Sequence, residues 1–138
     1  MILIVCLDEN KGMLFNRRRQ SRDRAVTEDM IKISQGTVLW IAPYSAGLFE
    51  KEIPTLRIEE DYLEKAGAGE FCFAEELPEC YGFAGVEKLI VYWWNRRYPS
   101  DRTFPGNWED FILEETGDFP GTSHEKITRE IYRMRKDS

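Results

Sequence analysis

The sequence predicts one α/β domain, residues 1–138, built on a mixed sheet, and three observations carry that prediction. Ile2–Leu7 and Phe71–Phe73 are short continuous apolar runs, and in residues 88–94 six apolar residues follow Lys88, the mark of strands buried on both faces. Stretches with helix signals separate them. The tail then alternates, with Phe111 and Leu113, and later Ile127 and Ile131, set among charges, as antiparallel strands with one wet face require.

The elements follow in order. Asp8-Glu9-Asn10-Lys11-Gly12 ends the first strand with turn chemistry, and a polar loop runs to about Val26. Thr27 reads as an N-cap with Glu28 and Asp29 in the first turn, where the helix dipole favours acids. Met30, Ile31 and Ile33 continue a short helix that stops at Gly36. Residues 37–42 are β-rich, and Pro43 opens a second short helix carrying Leu48 and Phe49. Residues 55–58 read as a strand and 59–66 as a helix.

Composition bounds the function. A chain of 138 residues that is 42% hydrophobic and 13% aromatic can bury a real core. No run of 18 apolar residues is present to span a membrane. The apolar start lacks a basic region and reaches Asp8 too soon for a signal peptide. Cys6, Cys72 and Cys80 are scattered and odd in number, which fits reduced thiols and a cytoplasmic setting. With no CxxC and His124 as the sole histidine, no metal site is expected. Net charge is −6, yet residues 17–24, RRRQSRDR, hold five arginines against one aspartate. The remainder is therefore strongly acidic, which disfavours nucleic acid as a general partner.

Residues 88–105, KLIVYWWNRRYPSDRTFP, read as a buried strand and a long connection. They resemble the dihydrofolate reductase family, where such a loop closes on Gly-Asp-Thr-x-Phe-Pro. Asp101, Phe104 and Pro105 match, while Ser100 and Arg102 replace the glycine and threonine. Residues 3–16, LIVCLDENKGMLFN, resemble the family's opening strand and loop, with Asp8, Asn10 and Asn16 in place. Trp108-Glu109 and Ser123-His124 extend the likeness into the closing hairpin. The resemblance implies a dihydrofolate reductase-like three-layer α/β/α sandwich with a mixed central sheet and a C-terminal antiparallel hairpin. It places Asp29 on the family's pocket acid, the candidate catalytic residue. It also implies a ligand pocket at Val5, Cys6 and Tyr92, and puts Ser45 and Ala74 at cofactor-binding positions.

The departures bear on chemistry. Ala74-Glu75-Glu76 stands where the family's glycine turn approaches a dinucleotide pyrophosphate, and two carboxylates there repel phosphates. Pro43 replaces an arginine of the cofactor site, and Tyr92 replaces a small threonine beside the pocket acid. The segment between Phe49 and Glu70 is also shorter than the family's.

Each candidate also has a plain structural reading. Asp29 is either a pocket acid or a first-turn helix acid. Tyr92 and Trp94 share a face of their strand and suit either stacking or core packing. Arg17, Arg18, Arg19, Arg22 and Arg24 form a candidate anion-binding loop, or a mobile, solvated run. Ser45, His124 and Asp29 are scattered and lack a nucleophile elbow, so no triad is expected of them, and His124 is placed on the surface or in the hairpin. The reading is a divergent reductase-like protein that needs no cofactor and binds a small anionic or ring-containing ligand near Asp29. The alternatives are an NADPH-dependent dihydrofolate reductase and an interaction module working through the arginine loop.

Overall fold

In the computed structural model residues 1–49 and 53–135 are described. In chain order the strands are β1 (Ile2–Leu7), β2 (Gly12–Phe15), β3 (Arg18–Arg19), β4 (Leu39–Ile41), β5 (Leu56–Ile58), β6 (Phe71–Phe73), β7 (Lys88–Trp93), β8 (Arg102–Thr103), β9 (Phe111–Phe119) and β10 (Ile127–Met134). The α-helices are α1 (Arg24–Ile33) and α2 (Tyr62–Lys65), with 3₁₀ turns at Pro43–Leu48 and Trp108–Asp110.

The main sheet has seven strands in the order β5-β4-β6-β1-β7-β10-β9. The first five run parallel. β10 lies antiparallel to both β7 and β9, so the C-terminal hairpin closes one edge. The apolar runs sit in the middle because a parallel strand must be covered on both faces. In β1, Leu3, Val5 and Leu7 enter one core with Leu89 and Val91 of β7, and Tyr62, Leu77 and Phe104 cover it. Ile4 faces the other way, with Ile90, Tyr92 and Trp94 under Val26 and Met30 of α1. The two-residue period of a strand thus decides which residues can meet α1.

Three local expectations are corrected. α1 begins at Arg24 and is capped by Asp23, whose carboxylate accepts from Ala25 N at 2.9 Å, rather than by Thr27. Thr27 lies inside the helix and bonds back to Arg24 O at 3.0 Å, so Asp29 is beyond the first turn. The polar stretch after β1 is not all loop: β2 pairs with β3 and β8 in a small second sheet, because Met13 and Leu14 are apolar and become buried. The helix at 59–66 shrinks to the four residues of α2. The Phe49–Glu70 segment includes residues 50–52, which lie outside the described residues; its described part holds β5 and α2. No helix of the described residues is long and apolar enough to cross a membrane.

Two truncations check the burial pattern. Ile4→Ala is expected to cost about 2–5 kcal/mol in urea unfolding, because it opens a cavity in a closed core. Leu113→Ala, at a site 47% exposed, should stay within about 0.5 kcal/mol.

Candidate functional site

In open parallel sheets ligand chemistry gathers outside the carboxyl ends of the strands. Here β1, β6 and β7 end beneath residues 19–23, which roof a cleft against α1. Cys6, Phe73 and Trp94 form its floor, Val26 and Met30 its wall, and Glu75 a charged end. The enclosed space is about 20 Å³, enough for one water molecule. Arg19 and Gln20 hold the roof down. Arg19 donates from Nε and Nη2 to Glu75 Oε1 and Oε2 at 2.6 and 3.0 Å, a bidentate pair. Ser45 Oγ donates to the same carboxylate at 2.8 Å, and the Arg19 guanidinium lies 4.3 Å from the Tyr44 ring centroid. Gln20 Nε2 donates to Asp8 Oδ2 and Pro99 O, each at 3.2 Å. Gln20 Oε1 is buried with no partner among the described residues, an acceptor left open in the cleft. Burial, reinforced by the charges of Glu75 and Asp23, pushes the Cys6 thiol up and keeps it protonated.

Asp29 looks away from that cleft. Its Oδ2 accepts from Tyr92 OH and from Arg129 Nη1, both at 2.7 Å. Tyr92 is fully buried, and burial together with the Asp29 carboxylate holds its phenol far above the usual range. Burial would lower the Arg129 value, but the bond and charge of Asp29 outweigh it and raise it. The group expected as a pocket acid is therefore set in an ion pair between helix and sheet, and Tyr92 fills the space beside it. Val5 points into the opposite core, as strand alternation demands, so Cys6 alone of Val5, Cys6 and Tyr92 reaches the cleft.

The arginines separate. Arg19 serves Glu75, and Arg24 sits 3.9 Å from Glu28 on the exposed face of α1. Arg17, Arg18 and Arg22 are exposed. A second groove of about 530 Å³ lies outside the cleft, lined by Ala42, Tyr44, Ser45, Glu75, Glu76 and Arg102. Arg102 faces Glu76 at 3.4 Å and donates to Leu77 O at 3.1 Å. Ala74 is fully buried, and residues 74–87 run from β6 to β7 without a helix.

A cluster that composition did not reveal stands at the other end of the roof. Asp23 accepts from the backbone N–H groups of Ala25, Thr122, Ser123 and His124 at 2.8–3.1 Å. His124 Nδ1 lies 2.9 Å from Asp23 Oδ2, and both side chains are buried. On the far side His124 Nε2 meets Ser21 Oγ at 2.9 Å and Tyr98 OH at 3.0 Å. The Trp94 ring stacks on the imidazole with centroids 4.7 Å apart. Burial opposes the Asp23 charge, but the His124 bond and the backbone donors prevail and lower its pKa. His124 is thus an interior residue, because the hairpin turn that carries it folds onto the cap of α1. Gly121 permits that approach, since a Cβ there would stand 2.6 Å from Asp23 Oδ2.

The architecture has a solved counterpart. A dihydrofolate reductase from Enterococcus faecalis, complexed with NADP(H) and RAB-propyl, matches with a TM-score of 0.65. The match covers 98% of this chain and 96% of that one at 10% sequence identity. The fold is dihydrofolate reductase-like. No protein-family model and no curated protein sequence matches the chain.

The Asp29 pair gives a direct check. Asp29→Asn removes a charge that a buried phenol and a partly buried guanidinium face, and is expected to lower stability by about 1–3 kcal/mol. Urea unfolding at neutral pH reads it; an unchanged midpoint would mean that the pair with Arg129 contributes nothing.

Proposed function

We propose that this chain is a divergent dihydrofolate reductase-like protein that works without a dinucleotide and binds a small ring-bearing ligand in the cleft under residues 19–23. One observation carries the reading: the planar guanidinium of Arg19 lies bidentate on Glu75 inside the cleft. A carboxylate so used matches any flat ring with two adjacent N–H donors, as an aminopyrimidinium has. Gln20 Oε1 offers a further acceptor beside it. Arg19 then acts as an internal occupant that the ligand displaces, and opening the roof enlarges the space. Asp29 contributes by fixing α1, the wall of the cleft.

The residues at the dinucleotide position do not fit that group. At the positions that the resemblance gives to the dinucleotide, Glu75 and Glu76 bring carboxylates to the groove, Pro43 has no N–H to donate, and no helix N-terminus follows β6. No reaction step is therefore drawn through NADP(H), although the Enterococcus protein was solved with it.

Tryptophan fluorescence tests both halves, because Trp94 floors the cleft. NADPH is expected to give no saturable response up to high micromolar concentration. A 2-aminopyrimidine probe should bind, with affinity raised at least about tenfold by Arg19→Ala, a change of about 1.4 kcal/mol, and abolished by Glu75→Gln. Saturable micromolar binding of NADPH, or equal probe affinity in all three proteins, contradicts the reading.

A further inference from the structure

The cluster at Asp23 has the connectivity of a nucleophile, a base and an orienting acid. Asp23 is fixed by four backbone N–H groups and lies 2.9 Å from His124 Nδ1, so in the neutral ring the tautomer that donates from Nδ1 to this carboxylate presents Nε2 as the acceptor. Two hydroxyls meet that nitrogen, Ser21 Oγ at 2.9 Å and Tyr98 OH at 3.0 Å, and Tyr98 OH also lies 3.4 Å from Ser21 Oγ. Trp94 covers one face of the ring, so water reaches the base poorly from that side. Ser21 is half-buried and lines the cleft, so its oxygen borders both the base and the space a ligand would enter. Arg22 and Arg24 line an adjoining groove of about 250 Å³ with Thr122 and Ser123, and the Asp23 carboxylate, filled by its own donors, also borders it.

We infer that Ser21 is an activated nucleophile that attacks a small carboxylic ester with an anionic end, with His124 as its general base. Ser21 Oγ bonds to the carbonyl carbon as its proton passes to His124 Nε2. The imidazolium, held by Asp23 at Nδ1, returns that proton to the leaving alkoxide as the carbon–oxygen bond breaks. Water then opens the acyl-serine along the same proton path and restores the hydroxyl. Asp23 is a positioning residue, since it touches only His124 and the backbone. Arg22 and Arg24 are placed to receive the anionic end of the ester. The inference rests on the same opening of the roof held by Arg19 and Glu75 as the reading above but not on its ligand, so covalent labelling and probe binding can fail separately.

The test is covalent labelling of the full chain with a small fluorophosphonate, in which Oγ–P forms, P–F breaks and fluoride leaves. Intact mass and peptide mapping locate the adduct. A single adduct on Ser21 is expected, absent in Ser21→Ala. His124→Asn, whose amide nitrogen can still donate to Asp23 but offers no base to Ser21, should slow labelling at least a hundredfold while the protein remains folded. No adduct, adducts scattered over other serines, or equal rates in wild type and His124→Asn would overturn it. Should His124→Asn fail to fold, Ser21→Cys decides. Its new thiol should alkylate with iodoacetamide at pH 7 faster than the exposed Cys80 in the same molecule. A rate at or below that of Cys80 overturns the inference.

Discussion

The Asp23 carboxylate is the constraint on which the upper surface of this fold depends. It caps α1, pins the β9–β10 turn through three successive N–H groups, and orients His124. A buried carboxylate is costly unless its lone pairs are filled, and here five donors fill them. Its lowered pKa fixes the sign of the linkage. The stabilisation is present above the unfolded value of about 3.9 and is lost as pH falls through the folded value. The closeness of Gly121 follows from the same requirement, because any side chain there would push the turn off the carboxylate.

A second buried acid repeats the device at the other end of the roof. Asp8 accepts from the N–H groups of Asn10 and Gly12 at 2.8 Å, and from Tyr98 N and Gln20 Nε2 at 3.1 and 3.2 Å. Gly12 is required there, since a Cβ would lie 2.6 Å from Gln20 Nε2. The two carboxylates anchor loops over the carboxyl ends of β1 and β7 where few helices are available to do so. The cleft between them is closed by an arginine and flanked by a histidine whose Nε2 meets the Ser21 and Tyr98 hydroxyls.

The sheet was legible in the sequence because burial on both faces leaves a simple trace, the apolar runs at 2–7, 71–73 and 89–94, and because the hairpin alternates. The start of α1 was misplaced because Thr27-Glu28-Asp29 imitates a capped first turn, while the true cap, Asp23, hides in an arginine-rich run. The sequence signal was Asp23 followed by Ala25-Val26 and, four positions after Val26, Met30, with its acid at the cap and its apolar face in register. Asp29 fell on a family position, but its partners, Tyr92 and Arg129, come from strands far along the chain. The Asp23–His124 contact spans 101 residues, and one histidine among charged neighbours carries no local sign of it. Long-range polar pairing leaves no periodic trace, so sequence reasoning could place the elements and not the cluster.

Hydrogen exchange at single amides, compared between wild type and Asp23→Asn, tests the central claim most directly. If one carboxylate holds both the helix cap and the hairpin turn, the substitution should reduce protection together at Ala25, Thr122, Ser123 and His124, while the amides between β1 and β7 keep theirs. Unchanged protection at 122–124, or a loss confined to Ala25, would show that the turn holds itself and that Asp23 only caps the helix.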